Sequence, residues 1–335
     1  MVYIPLRLVR RRMRRFLQKN WRQQMTAHTP IAARPLWSAT PTPLTEGLQI
    51  DLDSTAGLVD HHLRLGVDGL FILGSCGEGP WLPREAHRTF IREVCRRNDG
   101  RMTIGVQVTD NSAPRIIENA RIAADEGADV AIMAAPFKLM GPLATSKLQG
   151  LYLDAIEGSP LPMGIYDLGE RDKTLVPPEV ISEVLRHPKV VALKDSSASD
   201  ERQANALAVR AERPELRIMS GDEFDLPKYL GAGYDGLVLG GAIFNGALAR
   251  QIMDAIAAGE MERAQQMQDR MNTLMWDVYG GKTISTWLAG LKHLLVRMGI
   301  FSTHVNLLGY DLTDDCAAAI ETALERDREI LFPGG

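Results

Sequence analysis

Val190-Val191-Ala192-Leu193-Lys194-Asp195-Ser196-Ser197 is an uninterrupted apolar run that ends abruptly in an amine. Bounded by His187-Pro188 before it and by Asp and Ser after, it reads as a parallel strand buried on both faces. A lysine at the C-terminal end of a barrel strand points into the mouth, where such barrels do their chemistry. A free lysine side chain, with a pKa of about 10.4, is protonated at neutral pH and cannot attack a carbonyl. Burial disfavours an ammonium. An amine whose pKa falls to roughly 7–8 becomes a Schiff-base nucleophile. The bland alternative is a strand-end lysine that simply reaches water.

Outward from that run, short apolar stretches alternate with amphipathic ones. The apolar stretches are Leu36–Ala39, Gly69–Gly74, Met102–Val108, Ala128–Ala135, Pro162–Tyr166, Val190–Lys194, Arg217–Ser220 and Gly236–Gly240. Between them lie helical patterns such as Ser54–Leu65, Arg84–Arg97, Ala113–Glu126, Pro178–Arg186 and Asp200–Ala211. Several end in Gly-Val-Asp, Gly-Ala-Asp or Gly-Tyr-Asp, at Gly66-Val67-Asp68, Gly127-Ala128-Asp129 and Gly233-Tyr234-Asp235. Glycine just past the last helical turn stops a helix in a left-handed conformation before the next strand. Eight strands, each followed by a helix, predict an α/β fold of the (β/α)8 TIM barrel type. A doubly wound open sheet is the rival, but no Gly-x-Gly-x-x-Gly turn follows the first strand.

Too much helix follows the eighth strand for a minimal barrel. Gly246–Ala258, Met261–Val278, Ile284–Met298 and Thr313–Arg326 predict appended C-terminal helices, with methionines on their apolar stripe as packing residues. The expected division is a basic, disordered extension at 1–35, a barrel at 36–258 and a helical segment at 259–335 packed on it. Residues 1–45 hold nine Lys or Arg and no acid; the remainder has 29 basic and 42 acidic residues, a net of −13. That balance argues against nucleic-acid binding by the main body. In the arm, Leu6, Val9, Met13 and Phe16 fall at helical spacing, which allows membrane contact or targeting. The favoured account is a disordered extension, for which an over-long start with Met25 as the real initiator is one origin.

No stretch approaches the ~18 consecutive apolar residues of a membrane span. Cys76, Cys95 and Cys316 are widely spaced and odd in number, which suggests neither a disulfide framework nor a zinc site and fits a reducing cytoplasm. Adjacent His61 and His62 point to different sides of a helix, against a shared metal.

Compared strand end by strand end, the chain offers Gly74-Ser75-Cys76-Gly77-Glu78-Gly79 after strand two and Gly164-Ile165-Tyr166-Asp167 after strand five. Strand six supplies Lys194, strand seven Ser220-Gly221-Asp222-Glu223, and strand eight Gly240-Gly241-Ala242. Small residues in the first loop let backbone N–H groups approach an anion, and the Ser75 hydroxyl can relay a proton. In this order the motifs resemble the dihydrodipicolinate synthase / N-acetylneuraminate lyase family of class I, pyruvate-dependent aldolases, over roughly residues 36–315. Gly290-Leu291-Lys292 with Gly299-Ile300 is similar to that family's late helix.

The resemblance implies that Lys194 condenses with the keto group of pyruvate or another 2-oxo acid. It implies that Tyr166 and Ser75 move protons as catalytic residues. Ser75, Cys76, Arg171, Gly221 and Ala242 would bind substrate, and no cofactor or metal would be needed. It further implies a small-molecule 2-oxo acid and aldehyde as partners, and a homo-oligomer, usually a tetramer. Two departures bear on the member. Pro136-Phe137-Lys138 stands where lysine-biosynthetic synthases carry Pro-Tyr-Tyr, so a second phenol is missing; the plain reading of Lys138 is a solvated loop residue. Asp167-Leu168-Gly169-Glu170-Arg171 replaces Asn-x-Pro-Ser-Arg, leaving Arg171 to hold a distal carboxylate or to pair internally.

The resulting expectation is a Schiff-base lyase that adds, cleaves or dehydrates a 2-keto-3-deoxy acid. The alternative within the family is 4-hydroxy-tetrahydrodipicolinate synthase of lysine biosynthesis. From another class, a phosphosugar isomerase-like barrel would hold phosphate at Gly240-Gly241. A non-catalytic binding barrel is the third reading, against which the Lys-Tyr-Ser set argues.

Overall fold

A computed structural model describes residues 30–138, 144–171 and 174–333. Almost all of the basic arm, residues 1–29, lies outside the described residues. The eight strands are β1 (Leu36–Ala39), β2 (Gly69–Ile72), β3 (Thr103–Gln107), β4 (Val130–Met133), β5 (Met163–Asp167), β6 (Val190–Asp195), β7 (Arg217–Ser220) and β8 (Gly236–Leu239). They pair in chain order, all parallel, and β1 closes on β8. Helices α1 (Leu52–Leu65), α2 (Arg84–Asn98), α3 (Ala113–Asp125), α4 (Thr145–Gly158), α5 (Pro178–Leu185), α6 (Asp200–Glu212), α7 (Leu226–Gly231) and α8 (Ala242–Ala257) follow the strands in turn. Then come α9 (Met261–Tyr279), α10 (Trp287–Arg297), α11 (Asp314–Arg326) and the short α12 (Arg328–Leu331). The barrel and its appended helices are as the sequence pattern predicts.

Alternation sorts the strand residues into two separate apolar cores. The inner one joins Trp37, Ala39, Phe71, Val130, Ile132, Ala134, Tyr166, Val191, Met219 and Val238, filling the barrel. The outer one, between strands and helices, takes the other phase, for instance Leu36, Leu70, Ile72, Met133, Ile165 and Leu193. The indole of Trp37 needs bare backbone opposite it: a Cβ at Gly69 would stand 2.5 Å from its ring. On β6 the alternation is reset by a register shift against β5, where Met163 pairs with Val190 but Gly164 with Ala192. Such an extra residue re-aims everything after it. Here Leu193 falls in the outer core, and Lys194, one residue on, takes the inward phase.

The three Gly-x-Asp segments do more than stop helices. Gly66, Gly127 and Gly233 all have left-handed φ, between 68° and 105°. Two residues later the aspartate reaches sideways to the first strand residues of its neighbour. Asp68 accepts the Leu36 N–H at 2.8 Å, Asp129 the Ile104 N–H at 2.9 Å and Asp235 the Ile218 N–H at 2.9 Å. These carboxylates satisfy backbone donors at the N-terminal rim, β1 to β2, β3 to β4 and β7 to β8. Arg34, in the segment leading into β1, donates to the carbonyls of Leu230 and Tyr234 at 3.0 and 2.6 Å, and so ties the entering chain to that rim.

Two of the boundaries that differ from the sequence reading bear on the site. β2 ends at Ile72 rather than Gly74, because Leu73 turns to φ 60° and leaves the ladder. α8 begins at Ala242, four residues before the expected Gly246, which sits inside the helix and faces Leu65 and Val67. Among the described residues no helix is long and apolar enough to cross a membrane.

Candidate active site

Lys194 and Tyr166 are register partners on β6 and β5. Both side chains turn inward at the C-terminal rim. The Lys194 amine lies 4.3 Å from the centre of the Tyr166 ring and 5.3 Å from that of Phe71. Phe71 and Tyr166 meet edge to face, with centroids 5.8 Å apart. The amine therefore rests on two aromatic faces, a setting that stabilises an iminium nitrogen formed there by ~0.5–2 kcal/mol per face. Lys194 is half-buried rather than enclosed, while Leu193 and Asp195 on either side of it are buried. Tyr166 is 7% exposed, and its hydroxyl forms no hydrogen bond among the described residues. It is free to bond to a ligand.

Gly221 follows β7 and explains why the lysine can lie as it does. A Cβ there would stand 2.6 Å from Lys194 Cε, and nearer still to Ser196 Oγ. Its N–H donates to the Asp195 carbonyl at 2.7 Å, fastening the loop to β6. The carboxylates beside the two reactive residues face the other way, off the barrel axis. Asp167 takes Arg202 at 2.8 Å and the Gly169 N–H at 2.9 Å. Asp195 accepts the Ser197 N–H at 2.9 Å and the Tyr234 hydroxyl. These bonds fix the ends of β5 and β6 from behind, and so fix the spacing of phenol and amine.

The loop after β2 carries Ser75 and Cys76. Ser75 is half-buried, and no hydrogen bond joins its hydroxyl to Tyr166. Cys76 is buried; burial first, and then the charge of Glu223, push its thiol up to about 12. It remains a neutral SH. Glu78 closes the loop in a left-handed conformation, φ 56°, which a non-glycine residue adopts at a cost. Its carboxylate is paired with Lys292 of α10, and both side chains are wholly buried. Lys292 also donates to the Val305 carbonyl at 2.7 Å, and Glu78 accepts the Leu307 N–H at 2.5 Å. Burial pulls the Lys292 ammonium below its ordinary range, while Glu78 opposes that pull. The appended helices thus hold the loop in place.

Glu223 is the acid of the mouth. Its Oε2 accepts the Gly241 N–H at 2.7 Å and its Oε1 the Tyr279 hydroxyl at 3.0 Å. Burial raises its pKa against the pull of those two hydrogen bonds and of Lys194. Because that carboxyl already occupies the Gly240-Gly241 turn, the phosphosugar reading loses its anion cradle. Ala242 is fully enclosed at the head of α8.

The remaining predicted residues lie farther out. Arg171 ends a single 3-10 turn, Gly169–Arg171; it is exposed and forms no ion pair among the described residues, so pairing with Glu170 is not seen. Lys138 is exposed, its N–H donating to Asn111 Oδ1 at 2.9 Å, and Phe137 is exposed beside it. His61 and His62 take separate partners, the Ile243 carbonyl at 2.7 Å and the Ser38 hydroxyl at 2.9 Å. Phe71, Tyr279 and the Glu78–Lys292 pairing were missed by sequence reasoning. Phase on β2 would have placed Phe71 inside; nothing local marks the other two.

A closed parallel barrel with an amine and a phenol side by side at its C-terminal rim is the frame of a class I aldolase or lyase. Residues 33–323 match the model of the dihydrodipicolinate synthetase family, and the chain belongs to it. It is accordingly an enzyme of that pyruvate-dependent class. A 4-hydroxy-tetrahydrodipicolinate synthase of Cereibacter sphaeroides is 27% identical over 283 residues, 84% of this chain and 94% of that one. The structure of dihydrodipicolinate synthase from Bacteroides thetaiotaomicron superposes with a TM-score of 0.79 at 26% identity, covering 88% of this chain and 98% of that chain. The fold is equally that of CdNal from Clostridium difficile in complex with mannosamine, TM-score 0.78 at 19% identity, over 88% of this chain and 99% of that one.

Proposed function

We propose that Lys194 forms an imine with pyruvate or a 2-keto-3-deoxy acid, and that the enzyme then joins, cleaves or dehydrates the adduct. The observation that carries this reading is the amine set 4.3 Å from the ring of a tyrosine that is its register partner on the next strand. In this reading the amine attacks the keto carbon and water leaves, which creates a cationic nitrogen above two aromatic rings. That nitrogen accepts the electron pair of the adjacent C–H bond, and Tyr166 takes the proton to give the enamine. Backbone N–H groups at Ser75 and Cys76 hold the substrate carboxylate, with the Ser75 hydroxyl closing towards Tyr166 once ligand is present. Gly221 leaves the space in which Lys194 swings, and Arg171 is available for a distal carboxylate.

A second reading, 4-hydroxy-tetrahydrodipicolinate synthase, is favoured by the names of the relatives and by unpaired Arg171. The exposed Lys138 in place of a second phenol weighs against it. Three free cysteines accord with a reducing cytoplasm, and self-association is proposed from the family resemblance. The test is incubation with pyruvate and borohydride, followed by intact mass and peptide mapping. A reduced pyruvyl adduct on the peptide containing Lys194 is expected. Absence of labelling with every 2-oxo acid tried would overturn the reading. Turnover of aspartate semialdehyde against keto-deoxy acids then separates the two activities.

A further inference from the structure

The imine chemistry above leaves one acid of the mouth unused. Glu223 stands two residues beyond Gly221, where a Cβ would stand 2.6 Å from Lys194 Cε, and its carboxyl is held by the Gly241 N–H at 2.7 Å and the Tyr279 hydroxyl at 3.0 Å. The charged and titratable groups around it are Lys194 from β6, Asp222 on its own loop, Tyr279 from α9 and Cys76 from the β2 loop. No ion pair neutralises it among the described residues, and the residue is half-buried on the loop that follows β7 at the C-terminal rim. Burial favours the neutral form of this carboxyl against the pull of its two hydrogen bonds and of Lys194, and the loop that carries it opens on the same rim as the imine nitrogen.

We propose that Glu223 is the proton partner of the oxygen on substrate C4, the carbon joined, cleaved or dehydrated after the imine has formed. The proposal rests on the Lys194 reading and deepens it. In dehydration, the enamine pair re-forms the iminium and makes the C3–C4 double bond as the C4–O bond breaks. The oxygen leaves as water with the Glu223 proton. Glu223, now a carboxylate, recovers that proton from solvent, to which Tyr166 has released the one taken from C3. In addition, the enamine carbon bonds to the aldehyde carbon, and the aldehyde oxygen takes the proton. Cleavage is the reverse, with the carboxylate accepting the C4 hydroxyl proton. The substrate class that fits is a 2-oxo acid oxygenated at C4.

The test compares wild type, Glu223→Gln and Glu223→Asp in three measurements. Borohydride trapping of pyruvate reads the imine, and methyl deuterium exchange of pyruvate in heavy water reads the enamine. Turnover of 4-hydroxy-2-oxoglutarate, 2-keto-3-deoxygluconate, or pyruvate with aspartate semialdehyde reads the C4 step. Glu223→Gln is expected to trap and exchange within about threefold of wild type, yet to lose 10²-fold or more in C4 turnover. It should also lose the alkaline fall of the addition or dehydration rate, and Glu223→Asp should restore part of both. Turnover by Glu223→Gln within about threefold of wild type would overturn the proposal. So would parallel loss of trapping, exchange and turnover, the mark of a structural role. Failure of wild type to act on any of the three probes while trapping pyruvate would overturn it as well. No adduct in wild type would instead defeat the imine reading, and this inference with it.

Discussion

Replacing Lys292 by methionine should be among the most damaging single changes outside the mouth. Both side chains of the Glu78–Lys292 pair are 0% exposed, so the variant leaves a carboxylate in a dry interior with only the Leu307 N–H to hold it. The Val305 carbonyl also loses its donor. Breaking a buried pair from one side costs about 3–5 kcal/mol, because the orphaned charge keeps its desolvation penalty. The double change Glu78→Gln with Lys292→Met removes both charges and should recover most of that loss, to within about 2 kcal/mol of wild type. The effect should also reach the mouth. Glu78 is the left-handed residue that closes the Ser75-Cys76 loop, so a displaced carboxylate drags the proposed carboxylate-binding N–H groups with it. Urea unfolding followed by far-UV circular dichroism gives the energies, and the rate of pyruvate trapping reports the loop. A single variant that loses less than about 1 kcal/mol, or a double variant no better than the single, would refute the reasoning.

Three further outcomes are expected. Gly221→Ala should keep its fold by circular dichroism yet trap pyruvate at least about tenfold more slowly, since the added methyl occupies the path of Lys194; an unchanged rate would count against the placement. His61 and His62 are held neutral by burial, at about 4 and about 3. The unfolded chain therefore binds their protons first, and stability should fall as pH drops from 6.5 towards 4, by about 1.4 kcal/mol per pH unit for each histidine. His62→Gln should flatten that slope in urea titrations at stepped pH. Asp129→Ala leaves the Ile104 N–H unpaired at the barrel foot and should cost about 1–3 kcal/mol, measured as a shift in urea midpoint with unchanged m-value.

The barrel was legible because its strands are short and apolar, and three of them follow a glycine that ends the helix before. Lys194 and Tyr166 were legible for a related reason: in a parallel barrel, an inward-phase residue near the strand's C-terminal end points into the mouth. What sequence did not show are relations made by distance in the chain. Glu78 and Lys292 meet only because the late helices fold back over the mouth, and Tyr279 reaches Glu223 the same way. The extra residue on β6 that turns Lys194 inward leaves no mark in composition, since Val191 and Ala192 both suit a strand. The amine stands at the rim as the sequence reading placed it, but the rings of Phe71 and Tyr166 on which it rests come from two other strands and could not be read from its own.

The aspartate stitches at the foot of the barrel have an evolutionary corollary. Three interstrand seams there are riveted by side chains that take no part in chemistry, so mechanical integrity is vested at the end farthest from the substrate. Loops at the other rim can be exchanged, lengthened or re-charged without loosening the cylinder that carries them. New substrate preferences in this lineage should therefore arise by editing one rim, while the other is inherited almost as hardware.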